Sequence, residues 1–307
     1  MATFSIEGRT VLITGGNTGI GKATAVDLAH RGAHVLFTSR DAERGAAALA
    51  EIRAESGRDD VECLALDLAD LDSVRACAAD FLAREDRLDV LINNAGINLV
   101  RGARQLSKHG HELHLAVNHL GHMLLTDLLL DRLKASAPSR VVVLSSHAYL
   151  MSPQGLKLDD LHMEEGYKAF QCYGHSKLAN IAYTIELAKR LEGTGVTVNA
   201  VHPGYVETEL GQWRPEDKAA FVREETKAKS SESSKREGPD LSKLPPPVSA
   251  VEGAQTSIHV AASPELDGVT GAYFADSAPC ELQPHAADPV QAAKLWELSE
   301  ALLSGAR

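Results

Sequence analysis

The sequence predicts an α/β fold: one doubly wound parallel sheet with helices on both faces. Three observations predict it. Short Val-, Ile- and Leu-rich runs recur along the chain, helical patterns separate them, and the first run leads straight into a Gly-rich turn. Runs of this length and composition suit strands buried on both faces. Strand–helix alternation joins parallel strands through right-handed crossovers, which gives a single Rossmann-like domain spanning 1–307.

The elements follow in order. Thr10 to Thr14 and His34 to Ser39 read as the first two strands. Asp41 can cap a helix running to Ser56, and Gly57 can end it. Val61 to Leu66 is the third strand, Asp70 to Arg84 a helix, and Leu88 to Asn93 the fourth strand. Arg140 to Ser145 and Val196 to Val201 are the next strands, with a long helix from Tyr173 to Leu191 between them, closed by Gly193. After Pro203 the pattern changes. Glu216 to Gly238 is charged and Ser/Lys-rich, and Pro245 to Pro247 closes it. The span 209–248 reads as a flexible flap at the substrate side, not a second domain. Ser249 to Ala262 is a helix and Thr270 to Phe274 a last strand.

Composition narrows the function. The 307 residues are 44% hydrophobic and 24% charged, with a net charge of −11. A nucleic-acid partner would need an excess of Lys and Arg, so none is expected. The N-terminus has no basic stretch followed by an apolar one, and no apolar run is long enough to cross a bilayer. Cys63, Cys77, Cys172 and Cys280 form no C-x-x-C pair. A cytoplasmic protein without a membrane anchor is expected. Whether it forms a homo-oligomer stays open.

Two places carry chemistry. After the first strand come Thr14-Gly15-Gly16-Asn17-Thr18-Gly19-Ile20-Gly21-Lys22 and then a helix. Glycines there allow a tight turn and close backbone approach to a pyrophosphate, and the helix N-terminus supplies N–H groups and a positive dipole end. Further on, Tyr173 and Lys177 stand four apart on a helix and share a face. A free phenol has a pKa of about 10, and a neighbouring ammonium is expected to lower it toward a useful acid–base range. His111, His114, His119 and His122 are crowded, but His111-Glu112-Leu113-His114 lacks the four-residue spacing of a zinc-protease helix, and no metal is expected. Histidines that support Asn118 or pack between helices are the better reading.

Taken together, Thr14 to Gly21, Asn93-Asn94-Ala95-Gly96 and Tyr173-Gly174-His175-Ser176-Lys177 resemble the marks of the short-chain dehydrogenase/reductase family. Val117 to His122, His202-Pro203-Gly204 and Lys294-Leu295-Trp296 look like its retinol-dehydrogenase-like members. The resemblance implies a nicotinamide cofactor and a small-molecule carbonyl or alcohol substrate, and Leu150, Met151, Leu156, Tyr205, Trp213 and Phe221, in segments expected to line the mouth, suggest a bulky, partly apolar one. It implies Asn118, Ser146, Tyr173 and Lys177 as catalytic residues. Tyr173 would exchange the proton and Ser146 would hold the substrate oxygen. Lys177 would bind the nicotinamide ribose, and Asn118 would hold a water linking Lys177 to solvent. The cofactor would meet Gly15, Asn17, Thr18, Gly19, Ile20 and Gly21 at the phosphates. Asp67 and Leu68 would meet the adenine. Asn94, Ala95 and Gly96 would lie along its path, and Pro203, Gly204, Val206 and Thr208 would clamp the nicotinamide. At the end of the second strand an acidic residue would select NAD. Here Ser39 leaves no carboxylate and Arg40 can pair with a 2′-phosphate, so NADP(H) is expected ahead of NAD(H). Two rival outcomes stay open: a non-catalytic dinucleotide-binding regulator, and a hydride step serving epimerisation or dehydration.

Overall fold

The computed structural model describes residues 5–99, 103–206, 210 and 246–305. Eight strands form one sheet in the order β3-β2-β1-β4-β5-β6-β7-β8. They are β1 (Thr10–Ile13), β2 (His34–Ser39), β3 (Glu62–Ala65), β4 (Val90–Asn93), β5 (Ser139–Leu144), β6 (Val196–His202), β7 (Tyr273–Ala275) and β8 (Ala278–Pro279). All neighbours are parallel except β7 and β8. The helices are α1 (Gly19–His30), α2 (Ala42–Ser56), α3 (Leu71–Arg84), α4 (Gly121–Ala135), α5 (Ala169–Arg190), α6 (Ala250–Ala262) and α7 (Pro289–Gly305).

The two-residue period of the strands divides the core. Leu12, Leu36, Leu91, Val141 and Val198 face α3, α4, α5 and α7, while Val11, Ile13, Val35, Ile92 and Val142 face α1, α2 and α6. Burial of each such side chain contributes about 1.5–3 kcal/mol. Strand β1 pairs with β2 on one side and β4 on the other, so the chain reverses direction across the sheet there. Ligands of doubly wound sheets bind at that switch point, outside the carboxyl ends of the strands.

Local chemistry ends the elements as expected in several places. Asp41 accepts from Arg44 N–H at 2.9 Å, and Gly57 stops α2 with φ +72°. Ser249 and Glu252 form a reciprocal cap at the start of α6. Other boundaries move. Helix α5 begins at Ala169, after the extended Lys168, so Tyr173 lies one turn inside it. It ends at Arg190, with Gly193 beyond it at φ +78°. Strand β7 begins only at Tyr273, because Thr270 uses its hydroxyl to accept from Val198 N–H and Gly271 turns at φ +75°. Helices α4 and α7 and the short β8 are additions to the sequence reading. Of the expected flap, 209 and 211–245 lie outside the described residues. The chain on either side of it meets at a parallel bridge between Val206 and Val248.

Candidate active site

The Gly-rich turn is tied to β2 and β4. Thr38 accepts from Gly15 N–H through its hydroxyl at 3.1 Å and from Gly16 N–H through its carbonyl at 3.1 Å. Gly15 and Gly19 hold φ of +66° and +55°, where side chains are disfavoured. A Cβ on Gly21 would stand 2.3 Å from the Gly15 carbonyl oxygen and 2.5 Å from Asn94 Nδ2. Thr18 precedes α1 without a side-chain cap, and the first turn of α1 carries no acidic residue. Its opening N–H groups therefore fit an anionic pyrophosphate, and Asn17, Thr18, Gly19 and Ile20 keep part of their surface exposed there. Lys22, at the end of the motif, pairs with Glu51 and Glu55 on α2.

At the end of β2, Arg40 is exposed. Ser39 is buried and donates its hydroxyl to the Asp41 carbonyl at 2.7 Å, so its role is to shape the strand end that presents Arg40. Asp67 accepts from Ala69 N–H at 3.0 Å, and Leu68 is buried against Gly121, where a Cβ would stand 2.7 Å from the Leu68 carbonyl.

Beyond β4, Asn94 donates through Nδ2 to the carbonyls of Thr14 and Gly15, at 2.8 and 3.2 Å. The N–H groups of Asn94 and Ala95 both donate to Thr14 Oγ1 at 2.9 Å. Asn118 lies in a π-helical turn, Leu115–Leu120, that leads into α4. Its side chain accepts from Ile97 N–H at 2.8 Å and donates to Ile97 O and Ser176 Oγ at 3.1 and 2.9 Å. Ser176 in turn donates to the Tyr173 carbonyl at 2.8 Å. Sequence reasoning missed Ser176 as a partner, although it stands inside the quoted motif.

At the end of β5, Ser145 donates to the Lys177 carbonyl at 2.7 Å, which locks the strand to α5. Ser146 caps the short turn His147–Met151 by accepting from Ala148 N–H at 3.1 Å. A Cβ on Gly174 would lie 2.6 Å from Ala148 O, so the glycine lets this turn press onto α5. Lys177 is buried and donates to Leu144 O at 3.0 Å, and its Nζ stands 5.8 Å from the Tyr173 ring centroid. Burial pushes the Lys177 ammonium down to about 8. The expected lowering of the phenol is not what the protein's own groups produce. Burial pushes Tyr173 up to about 12, only partly offset by Ser146, because an ammonium itself weakened by burial and engaged by Leu144 offers little opposing charge.

After β6, Gly204 holds φ +88°, and a Cβ on Gly253 would stand 2.5 Å from Val206 Cγ2, so α6 packs closely on the segment after Pro203. Thr208 lies outside the described residues. The crowded histidines spend most of their ring nitrogens on internal partners, although His111 Nε2 and His119 Nδ1 are buried without one among the described residues. His114 holds Glu112 and Leu99 N–H, His119 holds Ser299, and His122 holds Thr14 and the Asn118 carbonyl.

The family model for short chain dehydrogenases matches residues 9–158 and 161–219. The chain belongs to the short-chain dehydrogenase family. Human retinol dehydrogenase 14 is 45% identical over 311 residues, covering 97% of this chain and 87% of that protein. Human retinol dehydrogenase 12 is 44% identical over 306 residues, with the same coverage. Among solved structures, an uncharacterized protein from Mycobacterium paratuberculosis superposes with a TM-score of 0.74 at 33% identity, covering 98% of this chain and 95% of that one. The Pseudomonas aeruginosa RhlG/NADP complex superposes with a TM-score of 0.65 at 26% identity, over 90% and 97% of the two chains. As a short-chain dehydrogenase, this protein is a dinucleotide-dependent oxidoreductase acting on a small molecule. No helix among the described residues is long and apolar enough to cross a membrane.

Proposed function

We propose that this short-chain dehydrogenase moves a hydride between NADP(H) and a carbonyl or alcohol, with Tyr173 exchanging the proton. The observation that carries the reading is the buried Lys177, held by Leu144 O at 3.0 Å with its Nζ 5.8 Å from the Tyr173 ring centroid, next to Gly96 of the stretch that follows β4. When bound, the nicotinamide supplies the hydride chemistry. The chain supplies orientation and the proton. Ser146 Oγ holds the substrate oxygen beside Tyr173 Oη. The raised phenol is neutral at pH 7, and the neutral form is the one that gives a proton in reduction. In oxidation Tyr173 Oη takes that proton, and the ammonium of Lys177 steadies the phenolate. Asn118 orders the floor of the site through Ile97 and Ser176.

The preference for NADP(H) rests on the exposed Arg40 and on the absence of a carboxylate at Ser39. A bulky, partly apolar substrate is favoured by Leu150 and Tyr205, both exposed in segments adjoining the site. A cytoplasmic setting is favoured by four unpaired cysteines. The test is a screen of aldehydes, ketones and alcohols with NADPH or NADP⁺, followed by nicotinamide absorbance. Turnover with at least one carbonyl or alcohol is expected, and silence across the screen with a folded protein would sink the reading.

A further inference from the structure

One face of the segment 114–122 carries three side chains tied to the stretch 94–99, Asn118 and His114 directly and His122 through Thr14. Midway, Asn118 holds both backbone groups of Ile97. At one end, His114 Nε2 accepts from Leu99 N–H at 2.9 Å, while Nδ1 donates to the buried carboxylate of Glu112 at 2.8 Å. Glu112 is itself fixed by Leu115 N–H at 2.9 Å. At the other end the contact runs through Thr14. Its Oγ1 accepts the N–H groups of Asn94 and Ala95, so both lone pairs are in use, and of the two acceptors its own proton can reach, His122 Nε2 at 2.8 Å is closer than Ile92 O at 3.4 Å. Nδ1 of His122 then carries the ring proton and donates to the Asn118 carbonyl at 3.1 Å. Both imidazoles are therefore neutral and in the same tautomer. The amides of residues 94, 95, 97 and 99 are all taken by side chains of this set.

This stretch touches the chemistry. A Cβ on Gly96 would lie 3.2 Å from Asn118 Oδ1 and 3.6 Å from Lys177 Nζ. The His114 ring meets the Tyr173 ring edge-on at 6.4 Å between centroids. We propose that His114 and His122 are positioning residues that hold the two ends of 94–99, His122 registering the cofactor end with the Gly-rich turn and His114 registering the substrate end with Tyr173. As a statement about catalysis this rests on the oxidoreductase reading; as a statement about the fold it does not. Burial of His122, which holds its imidazolium down to about 4, agrees with the neutral ring the geometry requires.

The test uses the full chain and four variants: His114→Leu, His122→Leu, His114→Gln and His122→Gln. Amide hydrogen exchange is measured without cofactor. In His114→Leu the Leu99 amide is expected to exchange at least tenfold faster, with Asn94 and Ala95 within twofold of the original protein. In His122→Leu the pattern reverses. Glutamine places an amide oxygen near the position of Nε2 and is expected to restore most of the lost protection. If a leucine variant does not fold, the alanine variant at the same position is measured at the same amides, with the same loss of protection expected. A second readout separates positioning from bulk stability. His114→Leu is expected to raise the KM of a carbonyl substrate at least fivefold with the NADPH Kd within twofold, and His122→Leu to raise the NADPH Kd at least fivefold. Exchange that is unchanged, or that accelerates equally at all three amides in both variants, overturns the proposal. If the original protein neither binds NADPH nor turns over, the oxidoreductase reading falls while the exchange measurement still judges the histidines.

Discussion

Lys177 donates its ammonium to the carbonyl of Leu144 at 3.0 Å, the same oxygen that Asn180 reaches at 2.9 Å. The end of β5 thus fixes the lysine from below, and Tyr173 stands one turn earlier on the same helix. This arrangement makes the tyrosine the group whose removal is most informative. Tyr173→Phe is expected to cut turnover at least about 100-fold, the scale of a lost general acid, with cofactor affinity retained. Steady-state kinetics beside a binding titration check both halves. Turnover that survives the change would move the proton donor elsewhere.

The raised phenol gives a spectroscopic expectation. In the protein without cofactor, burial holds Tyr173 at about 12. A difference titration at the phenolate absorbance, original protein against Tyr173→Phe, should show no tyrosinate from this residue below pH 10. A phenolate signal near pH 7 to 8 that vanishes in Tyr173→Phe would show that Lys177 dominates over burial after all.

Arg40 is exposed at the end of β2, beside a buried Ser39 that brings no negative charge. A hydrogen bond to a charged group contributes about 1.5–3 kcal/mol. Arg40→Leu is therefore expected to lower kcat/KM with NADPH by about 10- to 100-fold and to leave NADH nearly unaffected. Equal losses with both cofactors would remove Arg40 from phosphate selection.

Acid should unfold the protein through its buried imidazoles. Burial holds His119 at about 3, and His122 and His175 at about 4. In the unfolded chain each takes up a proton near pH 6.5. Between these values the unfolded state binds more protons, so stability is full above about 6.5 and is lost as pH falls toward 4. Each imidazole contributes a slope of about 1.4 kcal/mol per pH unit in that window. Urea midpoints at pH 7 and pH 5 measure it, with a clear fall expected at pH 5. His119→Gln should flatten the dependence, and a midpoint independent of pH in all cases would contradict the neutral-histidine core.

Trp296 is the largest of the side chains that helix α7 buries in the core, beside Leu295 and Leu303. Trp296 stacks on Tyr183 with ring centroids 5.7 Å apart and planes 7° apart, and the Arg190 guanidinium lies 4.3 Å from its ring centroid. Trp296→Ala is expected to cost about 3–5 kcal/mol, the range for truncating a buried aromatic. Denaturant unfolding checks it, and a loss below about 1 kcal/mol would mean that α7 adds little to the core.

Much of this architecture was legible because its causes are local. The central strands declare themselves as apolar runs, and Asp41, Gly57 and Ser249 mark helix ends through their own side chains or dihedral freedom. Helix α7 was not legible as an element, since its fixing contacts reach α5 from far along the chain. The π-helical turn around Asn118 leaves no trace in periodicity, because it inserts backbone without changing residue type. The face shared by His114, Asn118 and His122 could be read from helical phase, but their grip on 94–99 required the fold. The phenol was misread for the same kind of reason: spacing reveals that Lys177 is near, whereas burial is a property of the surroundings.

Gly15 and Gly21 belong to one turn and Asn94 lies beyond β4, yet the three share one contact, in which the space a methyl group would take on Gly21 is filled by an oxygen of Gly15 and the amide of Asn94. Three signature positions are thereby coupled by packing. Substitution at any of them changes what the others can tolerate, so their variation across descendants of this sequence should be correlated. Grafting a foreign phosphate turn into this scaffold would succeed only if its asparagine came with it.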